Sequence, residues 1–257
     1  MEQAKEIDSL TVVERDGQCT GRVTLTLEAP ESQGILPVGI DLNQTNALVA
    51  VDADGRELFI SGRSVKVANN RTRKTRRRLQ QKLARKKAEK GDTRSVRRNL
   101  KRLSRKQRNR TRTFCQQTAK QLADWAPANS VLVFEDLHMP KVAKSMRMRK
   151  GVRRRLSQWQ HNLIRQCVTN KAQERGLLVE YVNPRYTSQD CSRCGLRGVR
   201  QKHRFECPHC GHKMHADLNA AVNVRNRFAV LRGSESLSVD FEALEQSEGK
   251  PPTSVVG

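Results

Sequence analysis

Aromatic residues and long apolar runs are both scarce in this sequence. Phe, Trp and Tyr make up 4% of the 257 residues, so a surface that stacks single-stranded bases on aromatic rings is not expected. The longest apolar runs, such as residues 47–51 and 131–134, are far shorter than the roughly 20 residues that cross a bilayer. The first residues are polar and lack the apolar core of a secretory signal. The sequence therefore predicts a cytoplasmic protein without a membrane partner.

Acidic residues are also few relative to basic ones. The chain has 50 Lys and Arg against 26 Asp and Glu, a formal charge of +24, which predicts a polyanionic partner such as DNA or RNA. Between residues 71 and 112 there are 21 basic residues and two acids. A solvated helix pair is the alternative interpretation, but solvated faces normally mix the two signs. Charge at this density predicts phosphate binding rather than reading of base sequence.

The candidate nucleic-acid contacts all lie on this basic segment. They are Arg71, Arg73, Lys74, Arg76, Arg77, Arg78, Arg85, Arg97, Arg98, Arg102, Arg105, Arg108, Arg110 and Arg112.

The order of hydrophobic patterns predicts an α/β fold. Alternation predicts a strand hairpin over 10–28 that turns at Asp16-Gly17, and then a three-stranded antiparallel meander from residue 38 to residue 60. Helical spacing predicts a basic helical hairpin over 68–125, interrupted at Gly91-Asp92. The remaining predicted elements follow in chain order: a strand at 131–134, a basic loop with Lys141, Lys144, Arg147 and Arg149, a helix at 156–175, a strand at 177–182, a helix at 217–227 and an acidic disordered tail at 233–257.

Four of the seven cysteines lie close together in the sequence. Cys191-x2-Cys194 and Cys207-x2-Cys210 form two knuckles, each followed by glycine, and four thiolates at this spacing predict a tetrahedral structural Zn2+ site. Four unligated buried cysteines are the alternative. Nearby histidines could replace a ligand, and the ribbon could either support a neighbouring site or contact nucleic acid directly.

Three acidic residues are notable for their positions. Asp41 lies within the predicted strand 38–42 and Glu135 ends the strand 131–134, so each places a carboxylate on or at the rim of a strand that looks buried. Burying an unpaired carboxylate destabilises the folded protein, and a bound Mg2+ or Mn2+ ion would neutralise that charge. Asp217 precedes a helix and has the alternative role of its N-cap. If the strands of Asp41 and Glu135 are neighbours, the three acids can converge and hold two cations that cut a phosphodiester.

Several of these segments resemble the TnpB (transposase B, OrfB) family, which is related to the type V CRISPR effector nucleases. The resemblance covers about residues 10 to 230. The matching segments occur in the family's order: Gly39-Ile40-Asp41-Leu42, Phe134-Glu135-Asp136-Leu137, Tyr186-Thr187-Ser188-Gln189 before the first knuckle, Cys207-x-x-Cys210-Gly211 and His215-Ala216-Asp217-Leu218-Asn219.

The resemblance implies a RuvC-like nuclease domain of the RNase H-like fold, a mixed sheet with an inserted basic helical hairpin and an inserted zinc ribbon. It implies that Asp41, Glu135 and Asp217 are the catalytic acids, that Cys191, Cys194, Cys207 and Cys210 bind zinc, and that the hairpin contacts guide RNA or its duplex with DNA. The implied domains are a residual hairpin of a truncated wedge-like domain at 1–36, the first nuclease part at 37–185, the zinc ribbon at 186–214, a final nuclease helix at 215–232 and the tail.

The sequence thus predicts a metal-dependent, RNA-guided DNA endonuclease that is N-terminally truncated. One alternative is a non-cleaving nucleic-acid-binding regulator, or a partner of a separately encoded N-terminal half. A ribbon-bearing structural RNA-binding protein is a further alternative, which explains the charge and the cysteines but not the three acids.

Overall fold

The fold is mixed α/β, and the computed structural model describes residues 4–15, 17–28, 30–31, 34–137 and 160–233. The strands are β1 (Ala4–Arg15), β2 (Gln18–Leu27), β3 (Leu36–Asp41), β4 (Asn46–Val51), β5 (Glu57–Ser61), β6 (Ser130–Glu135), β7 (Leu178–Val182), β8 (Val199–Gln201), β9 (Arg204–Glu206) and β10 (Lys213–His215). The helices are α1 (Arg63–Ala88), α2 (Arg94–Trp125), α3 (His161–Glu174) and α4 (Ala216–Leu231).

The central sheet has five strands in the order β5-β4-β3-β6-β7. Strands β3, β4 and β5 form the predicted antiparallel meander, whereas β6 pairs parallel with both β3 and β7. Strand β3 is therefore central, and the strands of Asp41 and Glu135 are neighbours, which is the condition for the acids to converge. Parallel pairing of β3 with β6 places the carboxyl ends of both strands at one edge of the sheet.

The sheet is covered on both faces. Side chains of one face, including Ile40, Leu132 and Phe134, pack against α2 and α3, and this cluster is the largest core of the protein. Residues of the opposite face, including Val49 and Val133, pack against α4. Burial on both faces explains why β3, β4 and β6 are almost continuously apolar.

Two smaller sheets lie outside the central one. The long ribbon β1–β2 pairs antiparallel and leaves Ile7, Leu10, Val12 and Val23 more than half exposed. Strands β8, β9 and β10 form a short antiparallel sheet beside the cysteines. None of the helices in the described residues is long and apolar enough to cross a membrane.

Several predicted element boundaries were wrong. Helix α1 begins at Arg63, five residues before the predicted hairpin, and α4 continues to Leu231 rather than ending at residue 227. Helix α3 begins at His161 among the described residues, although the prediction began it at 156. The predicted basic loop falls within 138–159 and the predicted tail almost wholly within 234–257, both outside the described residues.

Candidate metal centres and nucleic-acid surface

The three predicted acids lie on the same side of the central sheet. Alternation along β3 directs Val38 and Ile40 to the α2–α3 face, so Gly39 and Asp41 face α4. The same alternation along β6 places Glu135 on the face of the sheet that also carries Val131 and Val133. Because Ile40 pairs with Phe134, Asp41 and Glu135 occupy neighbouring positions at the strand ends.

Gly39 brings the third acid to this edge. A Cβ on Gly39 would lie 2.1 Å from the Ala221 backbone oxygen, so α4 approaches β3 this closely only over a glycine. From Gly39 to Asp41 the strand advances about 6.6 Å, and from Ala221 back to Asp217 the helix covers about 6 Å. Asp41 and Asp217 therefore lie at about the same distance along β3 from the contact between Gly39 and Ala221.

The electrostatic environment of Asp41 places it close to both other acids. Burial raises the pKa of Asp41 well above its usual value, and the charges of Glu135 and Asp217 raise it further, while Arg200 lowers it. Burial likewise raises the pKa of Glu135, against a hydrogen bond from Thr187 and the charges of Arg227 and Arg200. The edge thus concentrates negative charge in a place that a divalent cation would neutralise.

Asp217 is fully buried and both of its carboxylate oxygens have partners. Arg200 Nη2 lies 2.6 Å from Oδ1, Asn43 Nδ2 donates to Oδ1 at 2.7 Å, and Asn46 Nδ2 donates to Oδ2 at 2.9 Å. Asp217 is not the N-cap of α4, because His215 caps the helix by accepting the Asp217 N–H through its Nδ1. A capping role therefore does not account for the buried carboxylate.

Sequence reasoning missed the groups that surround the acids. Arg200 comes from β8 and acts on all three carboxylates. The hydroxyl of Thr187 donates to Glu135 Oε1 and fixes its direction. The Tyr-Thr-Ser-Gln segment before the first knuckle was a signal for Thr187, whereas nothing in the sequence pairs Arg200 with an acid 17 residues away.

The four predicted cysteines come together. Their sulfur atoms all lie within 4.8 Å of one another, with Cys191 Sγ 3.7 Å from Cys210 Sγ and Cys194 Sγ 3.5 Å from Cys207 Sγ. Four thiolates bound to Zn2+ at about 2.3 Å would be about 3.8 Å apart. The observed spacing therefore fits a tetrahedral metal ion. Gly195 and Gly211 both have the positive φ that the two knuckles require.

Two asparagines of α4 attach the cysteine ribbon to the acidic edge. Asn219 accepts the Ser192 N–H and donates to the Asp190 carbonyl, and Asn223 donates to the carbonyls of Thr187 and Asp190. Both side chains lie one helical turn apart on the helix that carries Asp217. The ribbon and Asp217 are therefore held by the same helix.

The predicted basic residues lie on the α1–α2 hairpin. Arg76 and Arg110 are half-buried and bridge the two helices through Gln107 and Thr72, while the other twelve are exposed. Arg98, Arg102 and Arg105 line one shallow groove along α2. Among the described residues only Arg85 of this set has an acidic partner, Glu89 at 3.7 Å. Apart from Arg76, Arg85 and Arg110, the basic residues of this set are exposed and have no acidic partner among the described residues, which leaves them available to bind phosphate.

Relief of repulsion at the acidic edge gives a prediction for stability. Because the folded protein holds the Asp41 proton more tightly than the unfolded chain, the charged carboxylate costs stability as pH rises from about 4 through the raised pKa. We expect Asp41→Asn to raise Tm at pH 7 without divalent ions, by about 2–4 °C for each kcal/mol gained in the free energy of unfolding. This increase in Tm should disappear below pH 4. Exposed Asp54 provides the control variant, Asp54→Asn. Thermal unfolding that shows the same difference at both pH values would contradict this electrostatic account.

The fold resembles that of solved Cas12 nucleases. The chain superposes on a Cas12f1–sgRNA–target DNA complex with a TM-score of 0.57 and 19% identity, covering 84% of this chain and 55% of that one. For a CRISPR-Cas12f ternary complex the TM-score is 0.58 and the identity 20%, covering 84% and 44% of the two chains. The protein is thus a mixed α/β protein with a Cas12-like mixed sheet and a cysteine cluster.

Sequence comparisons show which families the chain resembles. Residues 20–146 match a family described as a probable transposase, and residues 161–224 match the Cas12f1-like TNB domain. The TnpB-like protein aq_aa05 of Aquifex aeolicus is 34% identical over 136 residues, 48% of this chain and 42% of that protein. Cas12f1 of Sulfoacidibacillus thermotolerans is 38% identical over 74 residues, 27% of this chain and 17% of that one. These matches support similarity to the TnpB family, which is related to the type V effectors, and they span less than half the length of these curated relatives.

Proposed function

We propose that this protein is a metal-dependent DNA endonuclease of the RNA-guided TnpB kind. The observation that carries the proposal is the convergence of Asp41, Glu135 and Asp217 at one edge of the central sheet, where Asp41 is destabilised by both other charges. The antiparallel β5-β4-β3 meander joined in parallel to β6 and β7 supports a RuvC-like, RNase H-like domain. In this proposal the domain comprises residues 37–185 and 215–232.

The acidic edge would hold two Mg2+ or Mn2+ ions. Carboxylates are the ligands these cations prefer, and when bound they activate a water and stabilise the leaving 3'-oxygen of the phosphodiester. Thr187 keeps Glu135 in one orientation, and Asn43 and Asn46 hold Asp217. The chain's own contribution is therefore a set of carboxylates whose positions are fixed before substrate arrives.

The cysteine cluster would bind one structural Zn2+ and act as a scaffold. Residues 186–214 have few buried apolar side chains besides Phe205, so metal binding would supply much of their stability. The ribbon carries Arg200 and His203 to Asp217. Zinc binding would in this way keep the acidic edge assembled.

The α1–α2 hairpin would bind the nucleic-acid backbone. Its exposed, unpaired arginines support this role, and the solved neighbours are described as complexes with guide RNA and target DNA. We propose guide RNA and DNA as the partners of this hairpin. Because the relatives contain much sequence beyond the matched stretch, guided cutting would also need the functions of that additional region.

The salt dependence of binding tests the hairpin. A triple variant with Arg98→Gln, Arg102→Gln and Arg105→Gln should bind duplex DNA with a smaller dependence on salt. We expect the slope of log affinity against log salt concentration to fall by about 2–3 units, because each lost phosphate contact reduces that slope by about 0.9. A control with the same charge change replaces Lys171, Arg175 and Lys213, which have acidic partners in the structure. Equal slopes for the two triple variants would refute the assignment.

One observation favours the alternative of a non-cleaving binder. The Asp217 carboxylate is already neutralised by Arg200 and accepts hydrogen bonds from two asparagines, and such an edge could be a purely structural ion pair. The ends of the DNA products distinguish the two functions. Cutting by activated water leaves a 5'-phosphate and a 3'-hydroxyl and requires Mg2+ or Mn2+, whereas a binder leaves labelled single-stranded DNA intact.

A further inference from the structure

A second cluster of ligand atoms lies beside Asp217, apart from the cysteines. His203, His215 and Asp217 each offer one ligand atom, and these atoms all lie within 4.8 Å of one another. His203 Nδ1 is 3.9 Å from Asp217 Oδ2. The two imidazole rings are stacked with their centroids 5.5 Å apart. Neither histidine is part of the acidic edge or of the cysteine cluster described above.

Backbone contacts hold this cluster in place. His203 lies in the turn between β8 and β9, where its carbonyl accepts the Ala216 N–H at 2.8 Å. His215 ends β10 and caps α4, and the edge of its ring contacts the Phe59 ring. The ribbon and the helix therefore present both imidazoles to the same side of a fully buried carboxylate.

We propose that His203, His215 and Asp217 bind a transition-metal ion at a site separate from the cysteine cluster. Two imidazoles and one carboxylate suit Zn2+, Co2+, Ni2+ or Mn2+, whereas Mg2+ strongly prefers oxygen ligands. Ligand atoms bound at about 2.1 Å in a tetrahedral arrangement are about 3.4 Å apart, so one ring must move inward by about 1 Å. His203 is 48% exposed and has room to do so.

The existing partners of Asp217 leave one direction open to the ion. Arg200 and Asn43 take Oδ1, and Asn46 takes one lone-pair position of Oδ2. A carboxylate offers about four such positions in total, and Oδ2 is the oxygen nearest to His203. Binding through His215 Nδ1 would exchange its 3.2 Å hydrogen bond from the Asp217 N–H for a metal bond. The positive charge of Arg200 opposes the ion, so binding depends on the two imidazole–metal bonds.

This site would make the protein sensitive to transition metals, a consequence that rests on the proposed function. An ion at His203 and His215 would share the Asp217 carboxylate with the acidic edge. We expect added Co2+ or Zn2+ to slow Mg2+-supported cutting by the wild type and to slow cutting by His203→Gln less. The binding measurement below is independent of cutting, so an absence of nuclease activity would leave it unaffected.

Co2+ titration of protein that already contains one Zn2+ per chain tests the site. We expect one additional Co2+ per chain, visible by weak d–d absorption and without the sulfur-to-cobalt charge-transfer band that exchange at the cysteines would produce. His203→Gln and His215→Asn should each weaken this binding at least tenfold. Asn is a good N-cap residue, so His215→Asn removes the ligand while preserving the start of α4.

Two control variants separate this site from its neighbours. His209 is exposed on the second knuckle, and His209→Gln should bind the additional Co2+ like the wild type. Glu135→Gln should also retain it, because Glu135 is a ligand only of the acidic edge in our proposal. Co2+ binding that survives in His203→Gln but is lost in Glu135→Gln would overturn the proposal and assign the ion to the carboxylates.

Discussion

Replacement of Asp41, Glu135 or Asp217 by alanine should abolish DNA cutting. Each carboxylate would hold the divalent cations, and losing a ligand removes several kcal/mol of transition-state stabilisation, so we expect the single-turnover rate to fall at least about a thousandfold. Nucleic-acid binding at moderate salt should change little, because in our proposal the charge that binds phosphate lies on α1 and α2. The measurement pairs cleavage of labelled DNA in Mg2+ with a binding titration of the same preparations.

Exposed Asp54 again supplies the control. Asp54→Ala removes one negative charge from the β4–β5 turn, so it should cut and bind like the wild type. A variant that loses binding as well as cutting would indicate misfolding at the edge, and its far-UV circular dichroism and Tm would show this. Cutting by Asp41→Ala at the wild-type rate would contradict the assignment of the active site.

Loss of one zinc ligand should have the second large effect. We expect freshly purified wild type to contain one Zn2+ per chain and Cys207→Ser to contain almost none. The binding energy of structural zinc, about 10–16 kcal/mol in small peptides, is also folding energy. The ribbon would therefore unfold while the central sheet, with its own cores on both faces, stays folded. Limited trypsin digestion should then cut within 193–213, where arginines and lysines are frequent.

A second cysteine tests the specificity of this effect. Cys19 is exposed on β2, far in sequence from the cluster, and Cys19→Ser should retain zinc and resist trypsin in the ribbon. Elemental analysis without zinc in the wild type would refute the zinc site. Zinc retained at one per chain in Cys207→Ser would show that another residue replaces this ligand.

The positions of the acids could be predicted because burial of strands leaves a strong pattern. Residues 131–134 are apolar on both faces of β6, so Glu135 at their end was conspicuous. Pairing of these two strands was a condition of the hypothesis, and the structure shows that β3 and β6 pair in parallel. The four cysteines were equally predictable, because the ligands of each knuckle are adjacent in the sequence.

The surroundings of the acids could not be predicted because they come from distant segments. Asn43 and Asn46 contact Asp217 across more than 170 residues, and only the approach of α4 over Gly39 brings them together. The alternative role of Asp217 as the helix N-cap fails for a local reason. Aspartate is a strong N-cap, but the extended backbone of β10 continues to His215, so the helix starts before Asp217.

Nicking of single-stranded DNA in Mg2+ or Mn2+ tests the central claim most directly. Wild type and Asp217→Ala would be compared in the same reaction series, each alone and with an N-terminal half supplied in trans, and with EDTA in place of the metal. The account predicts metal-dependent cutting by wild type, stronger with the added half, and none by Asp217→Ala. Wild-type protein that binds DNA but never cuts it under any of these conditions would contradict the account and identify a non-cleaving binder.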